Sequence, residues 1–366
     1  MKILFLSSHA HLVLDESSTL TSGGAELQVA LLARSLAARG HETVVAGGDT
    51  GQGDGITLQG VRIRNAGKFH TGRIGEMIVS VPRVFRVLRE EKPDWVVVMG
   101  WTAWLFLLWM WRPLLGYRLD YICALDTEVN GEYRRAHPFF GALFEFALRR
   151  CDARHAITRD QLAHYRRRGM KASFYRYLLV PRPPGERAPK DTDFLWVSRC
   201  VPMKRPELFL DLAAALPDRS FQMICPAQDP VLFGKIAARA AALPNVRFIE
   251  SVPYSQVQHH YDRARVFVNT SEWEGWPNSF IQAGLGRAAL LSLAVNPDDI
   301  FGTFRPGIHT NGDFAALLEG AKSMMADTSG LERMQEGCER FVNEMHDSEK
   351  ETDAFLRGLD GEGGHA

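Results

Sequence analysis

The sequence carries no net charge: across its 366 residues, 43 Lys and Arg balance 43 Asp and Glu. No cationic surplus therefore argues for nucleic acid as a partner. Cysteine is scarce as well. Cys123, Cys151, Cys200, Cys225 and Cys338 are odd in number, scattered and without metal-ligand spacing, so reduced thiols in a cytoplasmic protein are expected. The one candidate for a membrane span, Trp95 to Trp111, is interrupted by Gly100 and stops at Arg112-Pro113, short of what a spanning helix needs. It reads as a buried strand, Trp95 to Met99, followed by a helix on which Trp101, Trp104, Leu108 and Trp111 recur at helical spacing. The opening MKILFLSSHA is too briefly apolar for a signal peptide and reads as a first strand. Familiar enzyme signatures are missing: there is no P-loop, no H-E-x-x-H and no G-x-S-x-G. GGDTGQGDGI lacks the spacing of a dinucleotide-binding turn, which disfavours an NAD enzyme.

What is present is alternation. Short apolar strands are expected at Ile3 to Leu6, Thr43 to Ala46, Val61 to Arg64, Trp95 to Met99, Asp120 to Leu125 and Ala153 to Ile157. A helix opens at Gly23-Gly24 with Ala25, Val29, Leu32, Ala33 and Leu36 on one face and closes at Gly40. Strands alternating with helices predict a parallel, doubly wound α/β sheet. Tyr177 to Lys190 contains LLVPRPPGERAPK, a proline-rich, basic segment that suits neither strand nor helix and marks a linker. The alternation then restarts, with strands at Phe194 to Ser198, Phe221 to Cys225, Val246 to Ile249 and Leu290 to Leu293.

The densest segment is NTSEWEGWPNSFIQAG, Asn269 to Gly284. Val266 to Thr270 is a β-branched run, Pro277 suits the first turn of a helix, and the loop between them carries Glu274. The unpaired N–H groups of Asn278, Ser279 and Phe280 are expected to point toward it, setting a carboxylate beside an anion hole. A sugar hydroxyl and a phosphate would satisfy both. VSRCVPMKRPELFLDLAAAL supplies two cations, Arg199 at a strand end and Lys204 before a helix, a spacing that suits a diphosphate without a metal.

These segments resemble the retaining glycosyltransferases of family 4, whose motif is a Glu, seven residues and a second Glu; here Glu274 holds the first place and Gln282 the second. The resemblance implies a GT-B fold, two doubly wound Rossmann-like domains facing a central cleft. Its boundaries would be residues 1–176, a linker at 177–190, a nucleotide-sugar domain at 191–340, and a helix at 341–366 returning toward the first domain. It implies that Glu274 contacts the donor sugar, that Arg199 and Lys204 contact the departing diphosphate, and that Trp276, Pro277, Asn278, Ser279 and Phe280 form the helix entry receiving the donor. Gln282 would meet the ribose without the family's charge. In the first domain, Gly23 and Gly24 fit the family's glycine-rich loop, and in ICALDTEVNGEY Asp126 is the candidate sugar contact, with Glu128 second. Arg287 and Ala289 stand where the family usually has Gly and Pro. Asn296-Pro297-Asp298-Asp299 resembles a turn seen in part of the family.

The activity so implied is transfer of a hexose with retention, without metal or other cofactor, from a nucleotide-diphosphate sugar to a glycan or lipid-linked acceptor. Base, sugar and linkage stay open. So do a GT-B epimerase or phosphorylase and a non-catalytic nucleotide-sugar-binding subunit, the last suggested by Gln282 and Arg287. Arg73, Arg83, Arg86 and Arg89 with Arg166, Arg167 and Arg168, near the Trp-rich helix, suit reversible contact with an anionic membrane surface on its cytoplasmic side.

Overall fold

The computed structural model describes residues 1–18, 22–67, 74–100, 102–179 and 188–361. The chain forms two compact units. The first takes in the described residues up to Leu179 and returns for those from Asp347 onward; the second ends at His346. Residues 180–187, the centre of the expected linker, lie outside the described residues, as do Arg73 and Trp101. The expected boundary at 341 falls inside the helix Thr328–Met345, which packs against the second unit's sheet, so the change of unit comes after it.

In the first unit β1 (Lys2–Leu6), β2 (Glu42–Gly48), β3 (Thr57–Leu58), β4 (Val61–Gly67), β5 (Trp95–Met99), β6 (Arg118–Ile122), β7 (Ala153–Ala156) and β8 (Ser173–Phe174) form one sheet. Its order is β3-β4-β2-β1-β5-β6-β7-β8, parallel except for the β3–β4 pair. Leu4, Leu6, Val44, Val96 and Val98 are buried on one face and Ile3, Phe5, Val45 and Val97 on the other, as expected of strands covered on both faces. The helix Gly24–Ala38 ends as the sequence suggests: Gly40 has φ +82°, and the N–H of His41 reaches back to the Leu36 carbonyl at 3.1 Å. On the helix Thr102–Leu115, Trp104 and Leu108 are buried and Trp111 packs against the same core. Core packing thus accounts for Trp104, Leu108 and Trp111.

The helix Ser348–Leu359 completes this unit. Asp347 caps it, accepting from the N–H groups of Glu349 and Lys350 at 3.0 and 3.2 Å. It lies on β7 and β8 so closely that a Cβ at Gly358 would come within 2.1 Å of His155. The His155 ring bridges the buried Asp120 carboxylate at 2.9 Å and the Phe355 carbonyl at 3.2 Å, tying sheet to helix.

In the second unit β9 (Thr192–Val197), β10 (Phe221–Ile224), β11 (Val246–Ile249), β12 (Ala264–Asn269), β13 (Ala289–Ser292) and β14 (Gly307–His309) form a fully parallel sheet ordered β11-β10-β9-β12-β13-β14. Phe194, Trp196, Phe209, Phe221, Val266 and Val268 fill its core. The strand order reverses at β9, whose sequence neighbour is β10 while β12 lies on its other side. The crevice beyond the carboxyl ends of β9 and β12 is where this class of sheet binds ligands.

Candidate active site

The two segments singled out in the sequence meet at that crevice. Past β9 the chain runs through Arg199, a short 3-10 turn Pro202–Lys204 and Arg205 at φ +47° into the helix Pro206–Ala215. Past β12 it runs through the Glu274 loop into the helix Asn278–Leu285. Three hydrogen bonds stitch the segments together. Trp196 Nε1 donates to Thr270 Oγ1 at 2.9 Å, the Thr270 hydroxyl donates to the Lys204 carbonyl at 2.7 Å, and the Glu272 N–H donates to the Met203 carbonyl at 2.9 Å. The lysine is thereby held at its backbone.

Its side chain reaches Glu274, with Nζ 2.8 Å from Oε2. The other carboxylate oxygen accepts from Asn269 Nδ2 at 2.8 Å and Ser271 Oγ at 2.7 Å. Both side chains of the ion pair are nearly buried, 12 and 14 % exposed. Burial pushes the Glu274 carboxyl upward, but the Lys204 charge and the three hydrogen bonds outweigh it and hold the pKa below the ordinary glutamate value. The site therefore contains an ionised, oriented carboxylate with a cation locked beside it. Arg199, two residues beyond β9, is exposed.

The helix entry differs from expectation. Pro277 is the cap, with φ −72° and ψ 115°, and not part of the first turn. The Phe280 N–H is already committed to the Pro277 carbonyl at 3.0 Å and its ring is buried, so Phe280 supplies no donor to an anion hole. Asn278 and Ser279 open the helix. Trp276 is 4 % exposed, its ring 5.0 Å from that of His346, which makes it core. Gln282 is also buried, yet its amide Nε2 has no partner among the described residues. A buried amide donor left unpaired is costly.

Arg287 takes the left-handed conformation, φ +53°, which explains why the family prefers Gly here; its guanidinium lies 3.4 Å from Glu339. Asp298 and Asp299 also have positive φ, +49° and +53°, in the turn after β13.

In the first unit, Gly23 caps the helix Gly24–Ala38 beside the end of β1, where Ser8 Oγ lies 3.4 Å from Glu26. Asp126 is the half-buried first residue of the turn Asp126–Val129 beyond β6. Glu128 points inward: its Oε2 accepts from the Tyr121 hydroxyl and the Ala124 N–H, both at 2.9 Å. Burial raises its pKa to about 7 despite these bonds. Glu128 thus shapes the loop that presents Asp126.

Sequence reasoning missed the supports. Asn269 and Ser271 stood in the quoted motif without a role, and only their spacing of five and three residues from Glu274 could have suggested one. Trp196 and Thr270 gave no local signal. Trp273, 42 % exposed next to Glu274, was also passed over. Asp191 and Asp193, which superficially resemble a metal-binding pair, are otherwise engaged. Asp191 pairs with Arg263, and Asp193 accepts from the Ser220 N–H and hydroxyl at 3.0 and 3.1 Å.

Residues 23–183 match the model of the glycosyl transferase 4-like domain, and residues 182–337 match that of glycosyl transferases group 1. The chain belongs to the family 4 glycosyltransferases. Solved structures agree on the fold. The sucrose-phosphate synthase of Thermosynechococcus elongatus aligns with this glycosyltransferase at TM-score 0.80 and 16% identity, covering 99% of both chains. HepE of Anabaena, solved with UDP, aligns at 0.72 and 13%, covering 99% of this chain and 100% of its own. WaaG, a glycosyltransferase involved in lipopolysaccharide biosynthesis, aligns at 0.72 and 16%, covering 98% and 100%. The glycosyltransferase therefore has the GT-B fold, with two parallel-sheet, Rossmann-like units. Comparison with curated proteins finds no match.

Proposed function

We propose that this glycosyltransferase transfers a hexose, with retention, from a UDP- or GDP-sugar to a glycan or lipid-linked acceptor of a surface polysaccharide or glycolipid. The observation that carries the reading is the Lys204–Glu274 pair, held at the carboxyl ends of β9 and β12. In this mechanism the bond from the anomeric carbon to the diphosphate breaks while the acceptor oxygen attacks from the same face, and the acceptor's proton passes to a phosphate oxygen. Lys204 and Arg199 stabilise the charge developing on the diphosphate, and no metal is required. Glu274 orients the sugar, Ser279 and Asn278 meet the donor at the helix entry, and Gln282 meets the ribose. By the family resemblance, Asp126 is assigned to the sugar and the Gly23-Gly24 turn to close backbone approach to the donor phosphate or the acceptor. HepE's UDP complex and WaaG's part in lipopolysaccharide biosynthesis support the donor and acceptor classes.

Thermal stability measured with UDP, GDP, ADP, TDP and CDP, each in EDTA, is expected to rise selectively with one nucleotide, and Arg199→Ala should remove most of that rise. A rise that needs added metal, or none at all, would overturn the reading. Early product examined by NMR should keep the donor's anomeric configuration.

Gln282→Leu gives a test of opposite signs. Removing an unpaired buried amide should raise the melting temperature of the ligand-free protein, by about 1 kcal/mol in stability. The same change should weaken stabilisation by the preferred nucleotide. A variant that binds nucleotide as the wild type does would take Gln282 out of the site.

We further propose a cytoplasmic protein in peripheral contact with anionic membrane. Arg83, Arg86 and Arg89 are exposed on the helix Ile74–Glu91, and Met110, Leu114, Phe139, Phe140 and Phe146 are exposed apolar side chains of the same unit, with the Arg150 guanidinium 3.7 Å from the Phe146 ring centre. Among the described residues no helix is long and apolar enough to cross a membrane. Co-sedimentation with liposomes should increase with phosphatidylglycerol content and fall in Phe139→Ser/Phe140→Ser; binding indifferent to both would count against the contact.

A further inference from the structure

A second concavity, of about 830 Å³, opens at the opposite end of the second unit's sheet. Its walls are the residues leading into β9, β10 and β11 and the last turn of the helix Tyr254–Arg263. The Lys204–Glu274 pair lies beyond the other ends of these strands, which at four to six residues each are roughly 13 to 20 Å long. The two places are therefore distinct.

The charge of this wall is uneven. Two acidic side chains line it, Asp191 and Asp218, and Asp191 is already paired with Arg263. Asp218 is left against two further guanidiniums, Arg219 and Arg247, and the imidazoles of His259 and His260. Arg219 and Arg247 have no ion-pair partner among the described residues. The floor is fixed: Gln222 and Arg247 are register partners across β10 and β11, and His260 Nδ1 lies 3.1 Å from Gln222 Oε1, bracing the helix against the strand. Burial lowers the His260 pKa, and the neighbouring His259 and Arg247 lower it further, as a positive local field should. Planar guanidiniums, Arg247 on β11 and Arg219 in the turn leading into the adjacent β10, suit the oxygens of a phosphate, which they can meet with paired hydrogen bonds.

We propose that this concavity is a second binding site, for a small phosphorylated ligand, separate from the donor site. Its place at the amino ends of the strands lets it be occupied while a nucleotide sits at their carboxyl ends. Free diphosphate and a sugar phosphate share the required chemistry.

Calorimetric titration of Arg199→Ala protein with inorganic pyrophosphate, and separately with a hexose phosphate, tests the site with the donor site weakened. At least one of the two should bind, about tenfold more weakly once Arg247→Ala or Arg219→Ala is added. Tighter pyrophosphate binding would name a diphosphate ligand, and tighter hexose phosphate binding a sugar phosphate. In the wild-type background Arg247→Ala should leave stabilisation by the preferred nucleoside diphosphate unchanged. Imidazole proton resonances assigned through His259→Gln and His260→Gln should shift on titration. Absence of binding by either probe overturns the proposal, as does unaltered binding in both arginine variants when their circular dichroism and melting match the parent.

Discussion

Lys204→Ala is expected to cut glycosyl transfer by about 100- to 1,000-fold, the scale of losing a positioned electrostatic donor to a leaving group. It should also destabilise the second unit by about 3 kcal/mol, because it strands the Glu274 carboxylate in a nearly buried position without its countercharge. The pH dependence separates this account from simple loss of a surface charge. In the native protein the folded-state pKa of Glu274 lies below its unfolded value, so its stabilisation is fully present above the ordinary glutamate value of 4.5 and fades as pH falls through the depressed one. Without Lys204, burial is the largest remaining influence and pushes the pKa up. The variant's stability should then decline, relative to wild type, as pH rises past 4.5. Urea unfolding at pH 4 and pH 7, with initial rates on the donor chosen by nucleotide stabilisation, checks both effects. A variant retaining a third of wild-type rate would remove Lys204 from the chemistry.

The largest purely structural effect is expected at Gly307, where β14 begins. It stands opposite Leu290 in the β13–β14 register, and a Cβ there would come within 1.7 Å of the Leu290 carbonyl oxygen. All three obstacles, the oxygen, the carbonyl carbon at 2.6 Å and the amide nitrogen at 2.8 Å, are backbone, so no rotamer change relieves the clash. Gly307→Ala should cost about 3 kcal/mol or more, by splaying β14 from the sheet or shifting β13. Because β13 is paired with β12, which leads into the Glu274 loop, loss of nucleotide stabilisation should accompany the fall in chemical stability. Unfolding at the wild-type denaturant midpoint would show that the strand edge yields freely.

Most of both sheets was legible because their strands are short, nearly continuous apolar runs set between helix signals, as at Val96 to Val98 or Val266 to Val268. The missed strands lacked that signature. β3 and β8 have two residues each, and β14 reads Gly-Ile-His after a proline, which locally suggests a turn; only pairing with β13 makes it a strand. In the site, Glu274 and Lys204 could be found separately, but they are seventy residues apart and their contact depends on β9 lying beside β12. Phe280 was misassigned because its N–H bonds the Pro277 carbonyl three residues back, a 3-10-type bond that takes up an amide a regular first helical turn would leave open. The unpaired amide of Gln282 could not be read from a sequence at all, since it is defined by what fails to surround it.

The helix Ser348–Leu359 has a consequence for how the protein is made. It seals β7 and β8 of the first unit, but the ribosome delivers it only after the whole of the second unit has been synthesised. The second unit, whose described residues are continuous in sequence, can close as it emerges, whereas the first must wait with His155 and the sheet beside it uncovered. During translation the order of completion is thus the reverse of the order of synthesis, and nascent chains stalled before Asp347 are the species in which that uncovered sheet would be open to chaperones.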